Sequence, residues 1–224
     1  MDFDTESWYA NYYSRVNASA IEGSFSNKLL HRLIEKGQGS RGLKILEVGA
    51  NRGEHIKYVA PGWSSYIASD IRNLDHDESK LICNMGAQFV LADVENLQFE
   101  NECFDRVIST CLLHHLSNPE LGLREMLRVT KSGGTLSILV PNDPGIMYRL
   151  IQKLTTYRNA SRVGIGAQAR LHHAREHRNH YPGLITFIHS EFVGQKIRWR
   201  FFPFGFKSFN CNVLTVVHVT KQII

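Results

Sequence analysis

The sequence has no Cys-x-x-Cys pair, and its four cysteines, Cys83, Cys103, Cys111 and Cys211, stand apart. That spacing argues against a zinc ribbon and against a disulfide scaffold. No apolar run approaches the roughly 20 residues of a membrane-spanning helix, so no membrane partner is expected. The opening stretch, MDFDTESWYANYYSR, has neither the basic nor the apolar segment of a secretory or transit leader. A reducing cytoplasm is the expected setting. Internal repeats and low-complexity linkers are missing too, so the 224 residues are expected to form a single domain.

Acidic residues become scarce late in the chain. Residues 1–140 carry 14 Lys and Arg against 18 Asp and Glu, whereas 141–224 carry 12 against 3. The last third therefore has a basic surface, which either favours negative neighbours or only keeps the chain soluble.

Short apolar runs alternate with helical patterns. Strands are expected at 43–50, 64–71, 87–94, 104–111 and 134–141, most of them rich in Ile, Val and Leu like strands buried on both faces. Helices are expected at 53–60, 75–85 and 118–131, with two more ahead of the sheet at 5–16 and 25–37. Such alternation implies right-handed βαβ units and a doubly wound α/β sheet. Beyond Pro141 the pattern predicts a helix over 146–160, an irregular basic stretch over 161–180, a short apolar helix over 184–192 and two closing strands. These complete seven strands, mostly parallel with the last antiparallel, and helices cover both faces. The chain divides into an N-terminal helical lid (1–40), a core (41–141), a basic helical insertion (142–192) and closing strands (193–224).

ILEVGANRGEH, residues 45–55, is the most informative stretch. A strand ends near Glu47, and Gly49 lets the chain turn sharply and a ligand approach the backbone. A helix beginning near Gly53 would present free N–H groups to something polar. Asp70 closes the second strand, where a carboxylate can accept ribose hydroxyls, and Asp93 closes the third, where one can accept an adenine amino group. Ligands of such sheets sit over the carboxyl ends of the strands, so Glu47, Asp70 and Asp93 converge on one crevice. A nicotinamide dinucleotide would use the same fold, but Glu47 as a carboxylate would repel its pyrophosphate and suits a cationic amino group instead.

Glu47-x-Gly49-x-Asn51-x-Gly53, Asp70, LADVENL, FDRVISTCLLHHL and LREMLRVTKSGGTLSILVP together resemble the class I S-adenosylmethionine-dependent methyltransferases over residues 43–141. The resemblance implies a Rossmann-like fold and S-adenosylmethionine as cofactor. It sets Gly49, Ala50, Asn51 and Gly53 near the methionine part, Glu47 at the amino group, Asp70 with Ile71 at the ribose, and Asp93 with Val94 at the adenine. Residues 109–111, among them Thr110 and Cys111, would lie beside the sulfonium. Asn51 stands where the usual pattern has a glycine, and asparagine tolerates left-handed backbone better than other side chains do.

The chemistry then needs an acceptor held in line and, where required, a base for its proton. The candidates are His114 and His115, either of which could equally be a buried structural histidine. Trp8, Tyr9, Tyr12 and Tyr13 would supply an aromatic lid or merely pack on the sheet edge.

The stretch ARLHHAREHRNHY, residues 169–181, admits four readings. His173-Ala-Arg-Glu-His177 fits the inverted zinc-protease spacing. Its third ligand, though, would have to be the only downstream carboxylate, Glu191, and three arginines surround it, so no metal is expected. Nucleic acid is disfavoured because no aromatics interleave the basic residues. HAREHRNHYPGLITFIHSEF also resembles a segment of small-molecule and glycan-directed members of the family, which would direct His173 and Arg175 toward the acceptor. The fourth reading is a solvated basic loop. The expected function is methyl transfer to O or N of a small acceptor, neutral or anionic, such as a sugar, a nucleotide-linked sugar or a natural-product intermediate. An RNA-directed enzyme and a non-catalytic cofactor-binding subunit stay open. The oligomeric state, homodimer or otherwise, is not set by the sequence.

Overall fold

The computed structural model describes residues 25–162 and 164–222. The expected helix at 5–16 and the aromatic lid of Trp8, Tyr9, Tyr12 and Tyr13 lie outside the described residues. Helix α1 (Phe25–Glu35) leads into β1 (Lys44–Val48), then β2 (Ser65–Asp70), α2 (His76–Asn84) and β3 (Gln88–Leu91). Next come β4 (Phe104–Thr110), α3 (Pro119–Val129) and β5 (Thr130–Pro141). A helical run follows: α4 (Ile146–Gln152), one wide π-turn (Lys153–Tyr157) and α5 (Arg158–Arg162). Then come α6 (Gly166–Glu176), α7 (Tyr181–Glu191), β6 (Lys196–Phe202) and β7 (Leu214–Thr220).

The seven strands lie in the order β3-β2-β1-β4-β5-β7-β6. Pairings from β3 through β5 are parallel, whereas β7 runs antiparallel to both β5 and β6. This is the expected sheet, and its order reverses at β1, where the crevice opens between β1 and β4. Alternate strand residues build two cores. Leu46, Val107, Ile138 and Val217 pack with Leu123 and Met126 of α3 and Leu184 and Ile188 of α7 on one face. Ile45, Ala68, Ile108 and Val216 pack with Ile34 of α1 and Ile82 of α2 on the other.

Two expected elements differ. The helix over 53–60 is only turns and a 3-10 turn at Ile56–Tyr58. Gly53 is left-handed at φ 74°, which breaks helical continuity. Part of the irregular stretch 161–180 is the regular helix α6. Its apolar residues follow no helical stripe, so periodicity hides it. Ala167, Gln168, Ala169, Leu171 and Ala174 are nevertheless good helix formers. Strand β5 also begins at Thr130, ahead of Gly134, where a Cβ would come within 2.8 and 2.9 Å of the Lys131 and Asp105 carbonyls at the irregular β4–β5 register. None of the described helices is long and apolar enough to cross a membrane.

Candidate active site

A cavity of about 690 Å³ opens over the carboxyl ends of β1, β2, β3 and β4. Glu47 forms its floor. In β1 it pairs with Ala68 and Ile108 of the flanking strands and is 1% exposed. The Tyr66 hydroxyl donates to its Oε2 at 2.6 Å. Burial outweighs that bond and pushes the Glu47 carboxyl up to about 7. The acid is thus part neutral near pH 7, which weakens its expected repulsion of a phosphate.

After Val48 the chain turns through Gly49 at φ 68° and Asn51 at φ 48°, so Asn51 adopts the left-handed conformation its side chain tolerates. A Cβ on Gly49 would stand 2.8 Å from the Leu112 side chain, which also lines the cavity. Asp70 stitches this turn to the end of β2. It accepts the Asn51 N–H on Oδ2 (2.8 Å) and the Arg72 N–H on Oδ1 (2.9 Å), and each oxygen keeps a second lone pair for a ligand. Arg72 donates from Nη2 to Asn51 Oδ1 at 2.8 Å, closing the wall on that side.

Most of the expected cofactor residues meet here: Glu47, Gly49, Ala50, Asn51, Asp70, Ile71, Asp93, Val94, Thr110 and Cys111 all line the cavity. Ile71 is 71% exposed beside Asp70, an apolar platform for a flat base. Asp93 sits two residues past β3 and is exposed, with Oδ1 accepting the Glu95 N–H at 2.9 Å. Cys111 is left-handed at φ 53°, and burial pushes its thiol up to about 12, so it is no nucleophile at neutral pH. Gly53 does not belong to the lining. A Cβ there would meet Ile56 and Ile82 at 2.8 and 2.9 Å, so packing and backbone hand require the glycine. Ser109 is likewise fully buried below the floor.

His31, His55, Glu54 and Leu30 also line the cavity, although no strand-end pattern points to them. Glu35 at the end of α1 receives Arg106 Nη1 and Nη2 at 2.8 and 2.7 Å and His55 Nε2 at 3.0 Å. Hydrogen bonds from His55 and Arg106, with the Arg106 charge, hold the Glu35 carboxyl down at about 2, despite burial pushing the other way. Because His55 Nε2 carries the proton given to Glu35, its Nδ1 accepts from His31 Nδ1 at 2.9 Å when both rings are neutral. Burial, with His55 and Lys57 nearby, pushes His31 down to about 3, so that ring is neutral.

The far wall is the 3-10 turn Leu113–His115 beneath the C-terminal end of α6. His115 Nδ1 donates to the Glu176 carbonyl at 3.1 Å, and the Arg178 N–H donates to the His114 carbonyl at 3.0 Å. Burial pushes His115 down to about 4 and His114 further, so both are neutral at pH 7. His114 is 3% exposed, its Nδ1 has no hydrogen-bond partner among the described residues, and its ring packs 4.0 and 4.3 Å from those of His115 and His177. His114, His115 and Glu176 line the cavity, whereas His173 and Arg175 do not. His173 turns to Asp143 instead, 3.3 Å from its Oδ2, and Arg175 is exposed. Of the described residues lining the cavity, Arg72 is the only Arg or Lys, and Arg170, Arg175 and Arg178 present their charge elsewhere.

The family described as "Methyltransferase domain" matches residues 46–138, the span from β1 to β5. Among curated proteins, the chain is 28% identical over 143 residues to 2-methyl-6-phytyl-1,4-hydroquinone methyltransferase 1, chloroplastic, of Oryza sativa subsp. japonica, covering 61% of this chain and 43% of that protein. It is 34% identical over 110 residues to a demethylmenaquinone methyltransferase of Corynebacterium urealyticum, covering 47% and 44%. It is 34% identical over 103 residues to a tRNA (carboxymethyluridine(34)-5-O)-methyltransferase of Arabidopsis thaliana, covering 44% and 24%. The chain thus spans less than half the length of these relatives. A solved Thermotoga maritima structure, described as a SAM-dependent methyltransferase and possible histamine N-methyltransferase, superposes with a TM-score of 0.57 at 15% identity. It covers 97% of this chain and 94% of that one.

Proposed function

We propose that this chain, whose residues 46–138 match a methyltransferase-domain family and whose sheet has the matching fold, transfers a methyl group from S-adenosylmethionine to O or N of a small molecule. The observation that carries this reading is the convergence of Glu47, Asp70 and Asp93 with His115 on one cavity. When bound, S-adenosylmethionine supplies an electrophilic methyl group on a cationic sulfur. The residues suit it: a buried acid beneath a left-handed turn for a cationic amino group, Asp70 for vicinal hydroxyls, and Ile71 with Asp93 for a base.

His115 is the candidate base. Its Nδ1–H is committed to the Glu176 carbonyl, so the neutral ring keeps Nε2 as acceptor for the proton that leaves the acceptor hydroxyl or amine. His114, more deeply buried, supports that ring rather than acting on substrate. Because Arg170, Arg175 and Arg178 do not line the cavity, a hydroxylated sugar or natural-product intermediate fits without an anionic group. The two quinone-pathway relatives favour a small acceptor. The four cysteines are all free, in keeping with a cytoplasmic setting. The reading is tested by incubating the protein with methyl-labelled S-adenosylmethionine and a panel of hydroxylated small molecules while following S-adenosylhomocysteine. Labelled product with at least one of them, lost in Asp70→Ala, supports it; failure to bind the cofactor at all defeats it.

A second reading rests on the exposed Arg149, Arg158, Arg162, Arg170, Arg175 and Arg178, which could track an RNA backbone outside the cavity. RNA binding whose affinity falls steeply between low and physiological salt, with methyl transfer to that RNA, would favour it.

A further inference from the structure

Asp143, His173 and His177 place three ligand-type atoms within 4.8 Å of one another. Asp143 follows β5, while His173 and His177 lie one helical turn apart at the end of α6. His177 Nδ1 donates to Asp143 Oδ2 at 2.8 Å. His173 Nε2 stands 3.3 Å from the same oxygen, yet it is buried and makes no well-aligned hydrogen bond among the described residues. Two rings thus converge on one carboxylate oxygen that hydrogen-bonds to only one of them.

The two distances to Asp143 Oδ2, 2.8 and 3.3 Å, are those of a coordination shell. Bonds of about 2.0–2.1 Å put the ligand atoms of a tetrahedral ion roughly 3.3 Å apart, and those of an octahedral ion about 2.9 Å apart. Two imidazoles with one carboxylate are the donor set of a borderline divalent ion such as zinc or iron(II). The objections raised by the sequence do not hold in three dimensions. The carboxylate comes from upstream, at Asp143. Glu191, the downstream candidate, is engaged by Arg124 at 2.7 and 2.9 Å. Arg170, Arg175 and Arg178 are exposed, so solvent screens their charge.

We infer that Asp143, His173 and His177 bind one divalent transition-metal ion, which fastens α6 to the end of β5. Coordination through His177 Nδ1 shifts that ring's proton to Nε2 and gives His173 Nε2 the partner it lacks. The ion then braces the wall that carries Glu176 over His115 while standing outside the cavity lining. It is a positioning site and takes no part in methyl transfer.

Zinc chloride titrated into the chelator-treated full chain, followed by calorimetry and by metal content after desalting, tests this. The expected result is one zinc per chain. Its affinity should fall roughly tenfold or more in His173→Gln and in Asp143→Asn, and stay unchanged in His76→Ala and His115→Gln. The unfolding midpoint should rise by about 5–10 °C at a hundredfold excess over the dissociation constant. Circular dichroism of the metal-free variants establishes that they fold. Cobalt(II) on the unaltered chain should give ligand-field bands of a nitrogen and oxygen site. No bound metal, binding that survives both His173→Gln and Asp143→Asn, binding that needs His115 instead of Asp143, or a thiolate charge-transfer band would each overturn the assignment.

Discussion

Arg106 in the middle of β4 grips Glu35 at the end of α1 with two hydrogen bonds of 2.7 and 2.8 Å, and the Arg106 side chain is 1% exposed. The pair fixes the helix whose His31 reaches the cavity. Removing one partner leaves the other charged and buried, which costs about 3–5 kcal/mol. Glu35→Ala is expected to lower unfolding stability by that amount in urea titrations at pH 7. Because Glu35 is held down at about 2, its contribution is full above the ordinary 4.5 and disappears as pH falls toward 2. An unchanged urea midpoint at pH 7 would show that the pair is not formed.

Glu47 has the opposite sign. Its folded pKa is raised from 4.5 to about 7, so the folded state holds the proton more tightly than the unfolded chain does. Stability from this group is full below 4.5 and is lost as pH rises through 7, a change of roughly 3 kcal/mol. Glu47→Gln should flatten that part of the stability profile, measured by denaturant unfolding at intervals from pH 4.5 to 8. An equal slope in variant and parent would remove Glu47 as its source.

Asp70→Ala should weaken S-adenosylmethionine binding by roughly tenfold or more, the scale of a lost charge-assisted hydrogen-bond pair. It should also loosen the turn at 49–51, because the Asn51 and Arg72 N–H groups lose their acceptor. Calorimetry with the cofactor and faster amide exchange at residues 50–52 read the two effects separately.

His115→Gln should cut kcat by roughly a hundredfold or more on an acceptor that must lose a proton, while cofactor affinity changes little. His173→Gln, outside the lining, should leave the intrinsic pH dependence of kcat in place. A His115→Gln variant with full kcat would end the candidacy of that ring as base.

Gly49→Ala combines a left-handed backbone with a Cβ 2.8 Å from Leu112. The expected loss is about 2–4 kcal/mol, from backbone hand plus overpacking. Pairing it with Leu112→Ala should recover part of that loss, read as a positive coupling in a double-mutant cycle.

The strand-end acids were legible in the sequence because parallel strands carry their register with them. Once Glu47, Asp70 and Asp93 each stand at the end of an apolar run, the sheet brings them together. What was hidden depends on contacts between distant segments. Helix α6 has no amphipathic stripe, so periodicity did not mark it, and only its helix-forming residues set it apart from a loop. His31 and His55 reach the cavity through Glu35 and Arg106, a link spanning 71 residues that no spacing rule registers. His173 and Arg175 looked like acceptor ligands because their segment resembles one of small-molecule and glycan-directed methyltransferases. The helix turns only Glu176 to the cavity and sends His173 to Asp143.

The cavity and the protein around it differ in sign. The chain has a pI near 9.1, yet among the described residues Asp70, Asp93, Glu95 and Glu176, with Glu47 and Glu54 whose carboxyls burial pushes up, face the cavity against one guanidinium, Arg72. The flanking histidines with lowered pKa add no positive charge to offset them. A cleft of that sign inside low-dielectric walls concentrates cations and turns anions back. On the proposed reading, a ligand that enters as a cation and leaves with one positive charge fewer is drawn in by this field and held less strongly once that charge is gone.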